Sequence, residues 1–332
     1  MPDELSRATC AVESARRGEA LAATASRVRS WLLIEQPGPW GRKALVESDL
    51  DRELAATLER RCRDHGVRPL LIRRPGWRRP DTRRRCYLGH SGAQRSWLVS
   101  VDLDRPTALL DLDLALLAND PPPALGQIQE GPLFLVCTNG RHDRCCAERG
   151  RPLARALVAG GVPDVWECSH IGGDRFAATL VCLPDGAYFG RVAPSEGPTL
   201  AADYARGLLT LDRYRGRSAY PPLVQAAEQF ARQASGIREI DGMAASVIDW
   251  TSVDAVEVTF TASRPPWGRA WRVQVGRRRS STPVTLTCHS DQPSLPWEYH
   301  LQDLTLMEGV RGQPSLGCAE RFGEHGRRPS WR

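Results

Sequence analysis

Apolar and polar positions along the chain predict short buried strands interleaved with amphipathic helices, in an order that occurs twice. In the first pass, Ser30-Trp31-Leu32-Leu33-Ile34-Glu35 reads as a strand, stopped by the turn residues Gln36-Pro37-Gly38-Pro39. Asp49 can cap a helix in which Leu50, Leu54, Leu58 and Cys62 recur at helical spacing, ending near His65-Gly66. A strand at Pro69-Leu70-Leu71-Ile72 follows, then an arginine-rich loop. Two further strands, Cys86-Tyr87-Leu88 and Trp97-Leu98-Val99-Ser100-Val101, precede a helix from about Leu109 to Leu117. Pro121-Pro122-Pro123 reads as a linker.

The second pass keeps the order. Leu133-Phe134-Leu135-Val136-Cys137 is a buried strand, Arg151 to Ala159 a helix closed by Gly160-Gly161, and Asp164 to Cys168 a strand. Phe176 to Leu183 and Ala187 to Val192 form a hairpin turned by Pro184-Asp185-Gly186, and Thr199 to Leu209 is helical again. Strand, helix, strand, hairpin, helix, with a first crossover between parallel strands, is the thioredoxin-like order. The expected fold is therefore α/β: tandem thioredoxin-like units over 1–123 and 124–213, with a small α+β appendage over 214–332. In that appendage Pro221-Pro222 opens a helix through Val224, Ala227, Phe230 and Ala231. Strands are expected at Ala255 to Thr261, Ala270 to Val275 and Val284 to Cys288. Residues before Ser30 read as a polar, partly helical lead-in, and those from Gly317 onward as disordered.

Composition narrows the function classes. Over 332 residues, 41% apolar and 25% charged content are those of a globular protein with ample core. No apolar run reaches membrane-spanning length, and the first twenty residues lack a secretory apolar block, so a cytoplasmic, non-membrane protein is expected. The net charge of +6 is almost entirely arginine, since Lys43 is the sole lysine, and the arginines are scattered. That argues against a nucleic-acid partner. The densest group, Arg73, Arg74, Arg78, Arg79, Arg83, Arg84 and Arg85, reads as a solvated basic loop or a dock for an acidic redox partner. Ten cysteines in a reducing compartment point to metal or redox work where they cluster.

They cluster between Cys137 and Arg175. Cys137 ends a strand, and Cys145 and Cys146 lie just before the expected helix, whose N-terminus favours a thiolate. Cys168 and His170, two apart on the neighbouring strand, point to one face, and Asp174 follows after a glycine pair. Two loops at one end of a sheet, each bringing soft ligands, are a way to build a four-ligand metal site. Taken singly, Cys10, Cys62, Cys86, Cys182, Cys288 and Cys318 read as small apolar fillers. His142, between charged residues, reads as a solvated loop residue or a supporting donor.

Three segments together, LFLVCTNGRHDRCCAERGRPLARAL, DVWECSHIGGDRFAATLVCLPDGAYFGRV and YRGRSAYPPLVQAAE, resemble the sucrase/ferredoxin-like family, and WLLIEQPGPWGRKAL extends the likeness over roughly residues 8–235. The resemblance implies a thioredoxin-like ferredoxin with a [2Fe-2S] cluster on two cysteines and two histidines, the histidines in an H-x-G-G-H pattern. By position Cys137 is the first thiolate, Cys145 or Cys146 the second, and His170 the first imidazole. The second histidine position holds Asp174, and the usual CTHG is CTNG here. The fourth ligand is then Asp174, Cys168 or the spare vicinal cysteine, with a thiolate preferred.

Imidazole in place of thiolate raises a cluster's potential, and its free ring nitrogen can couple electron to proton transfer. The leading expectation is an electron carrier rather than a substrate-converting enzyme, reduced by an NAD(P)H-dependent reductase. No dinucleotide-binding glycine motif follows a strand in this chain. The alternatives are a thiol-redox enzyme using Cys137 or Cys145/Cys146, and a structural zinc site on the same ligands.

Overall fold

The computed structural model describes residues 8–76, 84–118, 121–263, 268–290 and 292–308. A short helix α1 (Cys10–Arg16) leads into the first unit: β1 (Ser30–Glu35), α2 (Arg52–Asp64), β2 (Val67–Arg73), β3 (Arg84–Ser91) and β4 (Ser96–Leu103). β1 pairs parallel with β2 and antiparallel with β3, and β4 completes the hairpin. After a two-residue strand β5 (Gln127–Ile128), the second unit repeats this with β6 (Leu133–Cys137), α3 (Arg144–Ala159), β7 (Val165–Cys168), β8 (Leu180–Leu183), β9 (Ala187–Phe189) and α4 (Gly197–Ala205). β6 pairs parallel with β7 and antiparallel with β8. The repeated order is thus a repeated topology, and the fold is α/β.

The two units share one sheet. β2 meets β7 antiparallel through Ile72–Cys168 and Arg73–Glu167, giving the ten-strand order β10-β9-β8-β6-β7-β2-β1-β3-β4-β5, where β10 is Tyr214–Arg217. The halves are therefore related by a local two-fold through the β2–β7 seam, with β1 corresponding to β6 and α2 to α3. Strand alternation sorts the side chains. Leu32 and Ile34 pack with Leu54 and Leu58 of α2, and Phe134 and Val136 with Leu153 and Leu157 of α3. Trp31, Leu33, Leu133, Leu135 and Cys137 point the other way into a core common to both halves.

Beyond the sheet, α5 (Pro222–Ser235) begins at the proline pair, where the missing N–H costs nothing. It packs Leu223, Val224 and Ala227 on a four-stranded antiparallel sheet of β11 (Met243–Ser252), β12 (Ala255–Ala262), β13 (Ala270–Arg279) and β14 (Trp297–Met307). Within α5 the buried Arg232 and Glu228 pair at 3.0 Å, and Arg232 also donates to the carbonyls of Ile237, Glu239 and Ile240.

Several local expectations change. α2 is capped by Asp51, whose carboxylate accepts from Leu54 N at 2.9 Å, rather than by Asp49. Leu109 to Leu117 forms two 3-10 turns, Pro106–Leu110 and Leu114–Ala118, instead of one α-helix. α3 begins at Arg144, seven residues before its expected start, with Pro152 inside it. Val284 to Cys288 is not a strand; Val284 makes an isolated bridge to Ser294. The expected disorder from Gly317 and part of the arginine loop lie outside the described residues. The described arginines beside that loop are held internally: Arg73 by Glu167 and the Trp40 ring, Arg74 by Asp164 and the Trp166 ring, Arg85 by Asp102, and Arg84 by Gln36.

Candidate metal centre

The carboxyl ends of β6 and β7 stop side by side, with Cys137 and Cys168 as register partners, and the ligand-bearing loops leave from there. After Cys137 the chain runs through buried Thr138 and Asn139. Thr138 Oγ1 donates to Glu167 at 3.1 Å and Asn139 Nδ2 to the Gly41 carbonyl at 3.1 Å, so the loop is fixed to both halves. Asp143 then caps α3, accepting from Cys145 N at 2.8 Å, an interaction of about 1 kcal/mol. Both vicinal cysteines fall in the first helical turn. Consecutive helical residues are about 100° apart, so the two thiols face different neighbours. One turn further on, Gly150 lets α3 lie against the Cys137 carbonyl: a Cβ there would stand 2.0 Å from that oxygen.

The second loop starts at Ser169, pinned to β2 by Ser169 N to Leu71 O at 2.8 Å and Leu71 N to Ser169 Oγ at 3.1 Å. Gly172 and Gly173 have φ of 98° and 84°, a backbone that side chains resist. Beneath this turn lies fully buried Arg215, which donates to the Gly172 carbonyl at 3.0 Å and would collide with any Cβ on Gly173. The tight turn brings His170 and Asp174 back to a common point.

At that point the ligand atoms of Cys137, Cys146 and His170 all lie within 4.8 Å of one another, and those of His142, His170 and Asp174 form a second such group sharing His170. Cys146 Sγ donates to Asp174 Oδ1 at 3.2 Å. His170 Nδ1 stands 3.0 Å from the same oxygen, yet it is buried without an aligned hydrogen bond. The His142 ring stacks on His170 with centroids 3.6 Å apart, and its Nε2 is 3.8 Å from Asp174 Oδ2. His142 Nδ1 faces the Arg42 carbonyl at 3.4 Å; donating there leaves the Nε2 lone pair directed at the centre.

Charges are arranged around one thiolate. The neighbouring Cys146 thiol, together with His170 and the Asn139 amide, holds the Cys137 thiol well below its ordinary value despite burial. Cys146 is pushed the other way by that same contact and by burial. Burial opposes a charge on His170, but Asp174 and Cys137 outweigh it and lift its pKa to about 9. Burial likewise opposes ionisation of Asp174, yet His170, Cys146 and His142 hold it below the usual carboxylate range. His142 is lowered by burial and by His170, which keeps it the neutral, ligand-competent imidazole.

The sucrase/ferredoxin-like family model matches residues 21–216, more than half of the chain and all of this centre. The chain belongs to the sucrase/ferredoxin-like family. No curated protein matches it, and no solved structure does either.

In this sucrase/ferredoxin-like chain the structure divides the residues singled out in the sequence. Cys137, Cys146 and His170 converge, and Asp174 touches two of them. Cys145 does not join them: its sulfur is turned toward Cys10 and Cys288. Cys168, one of the two thiolates considered for the second histidine's place, is fully buried in the shared core beside Cys137 and belongs to neither ligand group. His142, read from sequence as a solvated loop residue or a supporting donor, stands in a ligand group with His170 and Asp174. Its signal was the position four residues before Cys146, which becomes one loop-turn of separation once α3 is known to start at Arg144. Outside the CTNG loop, a cleft of about 390 Å³ is lined by Trp40, Asn139 and Gly140 with Arg73, Arg141 and Arg151. Among the described residues no helix is long and apolar enough to cross a membrane.

Proposed function

We propose that this chain is an electron-transfer protein whose Cys137, Cys146 and His170 hold a [2Fe-2S] cluster, with the fourth bond from His142. The observation that carries the reading is the convergence of two buried thiols with an imidazole whose buried ring nitrogen lacks an aligned hydrogen-bond partner. The donor chemistry fits, since thiolate and neutral imidazole are the ligands of mixed-ligand iron–sulfur centres. When bound, such a group supplies a one-electron couple whose potential rises with each imidazole. His142 is favoured over Asp174 because its lone pair is oriented by the Arg42 carbonyl and because imidazole is the softer donor. Asp174 then stands beside the two ring nitrogens as a neighbouring carboxylate, and Arg215 beneath the glycine turn offsets thiolate charge. The histidine side chains, 20% and 26% exposed, are the solvent-facing edge of a buried centre. That edge is where a partner would exchange electrons, an NAD(P)H-dependent reductase being the proposed donor, in the cytoplasm.

Zinc is the second reading, because the Cys137–Cys146–His170 ligand atoms span no more than a single ion requires. A thiol-redox enzyme has less support: Cys137, Cys145 and Cys146 are all buried, whereas reactive cysteines are partly exposed. Anaerobic purification followed by optical and EPR spectra before and after dithionite separates these readings. A coloured protein whose reduced form gives a low-average-g signal supports the cluster. A colourless protein with zinc lost on Cys137→Ser supports the zinc reading and ends the electron-transfer one.

A further inference from the structure

The thiol that turns away from this centre has its own company. Cys145 Sγ lies 3.3 Å from Cys288 Sγ and 3.6 Å from Cys10 Sγ, and Cys288 and Cys10 are 3.5 Å apart. Asp143 Oδ2 stands 3.9 Å from Cys10 Sγ, and the four ligand atoms lie within 4.8 Å of one another. The three cysteines come from α1, the first turn of α3 and the loop after β13, up to 278 positions apart. Other buried cysteines differ: Cys62, Cys86 and Cys182 sit among hydrocarbon side chains in the strand and helix cores.

We propose that Cys10, Cys145 and Cys288, with Asp143 as fourth ligand, form a structural zinc site separate from the first centre. The three sulfur separations fall within about half an ångström of the ~3.8 Å edge of a tetrahedron with Zn–S near 2.3 Å. They are far beyond the ~2.05 Å of a disulfide, and three sulfurs cannot all pair. A closed set of protein ligands suits a structural ion: Cys10, Cys145 and Asp143 are buried. Cys10 N donates to Cys288 Sγ at 3.5 Å, Arg144 lies beside Cys288, and α3 presents its N-terminus to Cys145. Asp143 is aimed by Cys145 N at 2.8 Å and Cys288 N at 2.6 Å.

Cys10 and Cys288 lie outside the matched residues 21–216 while Asp143 and Cys145 lie inside them, so the site would join flanking segments to the family core. Its ion would staple α1 and the 280–290 loop to α3. By fixing Cys145 it would also fix the helical register that aims Cys146.

The test is metal analysis of the full-length protein beside Cys10→Ser, Cys288→Ser and Cys137→Ser. The expected result is about one zinc per chain that Cys137→Ser keeps and that both other variants lose, while those two retain whatever metal the first centre holds. Should the serine variants fail to fold, wild-type protein stripped of zinc and titrated with cobalt(II) serves instead. A near-ultraviolet thiolate-to-cobalt band that zinc displaces, and that persists in Cys137→Ser, supports the site. Wild-type protein with no zinc beyond what Cys137→Ser loses, no such band, or an intact mass two hydrogens short from a disulfide among these cysteines would overturn it. A first centre that proves to hold no iron leaves these readouts unaffected.

Discussion

Replacing Gly150 by alanine tests whether the closeness of α3 to β6 assembles the centre. Gly150 is helical and needs no unusual backbone, so helix propensity alone predicts that alanine stabilises by about 1 kcal/mol. The packing predicts the opposite. The new Cβ would stand 2.0 Å from the Cys137 carbonyl oxygen, 3.1 Å from its carbon and 3.4 Å from Thr138 Cγ2. Ordinary contact begins near 3.5 Å, so the helix must back away by roughly 1 to 1.5 Å. The obstacle is backbone of a buried strand, which cannot rotate aside as a side chain could. Overpacking of this kind costs about 1–3 kcal/mol, which offsets the propensity gain and leaves a net loss of about 0–2 kcal/mol. The larger effect falls on the ligands. Cys146 rides on the same helix, and metal–ligand distances tolerate only about 0.2 Å. The expected outcome is a modest drop in denaturation midpoint with metal content at the first centre reduced more than twofold. Arg149→Ala, exposed on the same helix, serves as the control that changes neither. A Gly150→Ala protein as stable as wild type with its full metal complement would refute the argument.

The fourth ligand can be found by substitution. His142→Ala should abolish or spectrally alter the centre, while Asp174→Asn should keep the optical bands and shift the pH response; the reverse pattern would return the bond to Asp174. In metal-stripped protein, His170 has a folded pKa of about 9 against 6.5 for an unconstrained histidine, so its charged pair stabilises the fold fully below 6.5 and is lost as pH rises through 9. Urea denaturation across that window should show stability falling with pH, a slope that His170→Ala removes. Glu228→Ala strands the fully buried Arg232 and should cost about 3–5 kcal/mol, read by thermal or chemical denaturation.

Much of the scaffold was legible because it rests on local patterns. Leu133–Cys137 is a continuous apolar run bounded by turn residues, and Pro222 starts α5 where a proline pair would place it. What failed shares a cause, namely dependence on partners distant in sequence. From sequence α3 read as starting at Arg151, just after Gly150; Asp143 as cap and the close approach of Gly150 to Cys137 make the earlier start work. β11 and β14 expose much of their length and lack clean alternation, so neither stood out as a strand. The β2–β7 seam rests on two residue pairs and carries no local signal. At the centre, ligand types and the two loops were readable, but which vicinal cysteine turns inward depends on where the helix begins. Cys10 and Cys288 had no readable link at all, since only the folded chain brings them together.

The seam also gives a role to the first half, which among the described residues has no ligand cluster of its own. Cut apart at residues 72–73 and 167–168, each half would end in a strand with unpaired backbone donors and acceptors, flanked by the apolar side chains of Leu70, Ile72, Val165 and Trp166. Such bare edges invite pairing with other chains, and proteins cap them at some cost. Here each copy is the other's cap, and the Arg73–Glu167 ion pair at 2.8 Å latches the join beside the metal loop. The first copy thus serves the second as the cover of its open edge, whatever ligands it does or does not carry.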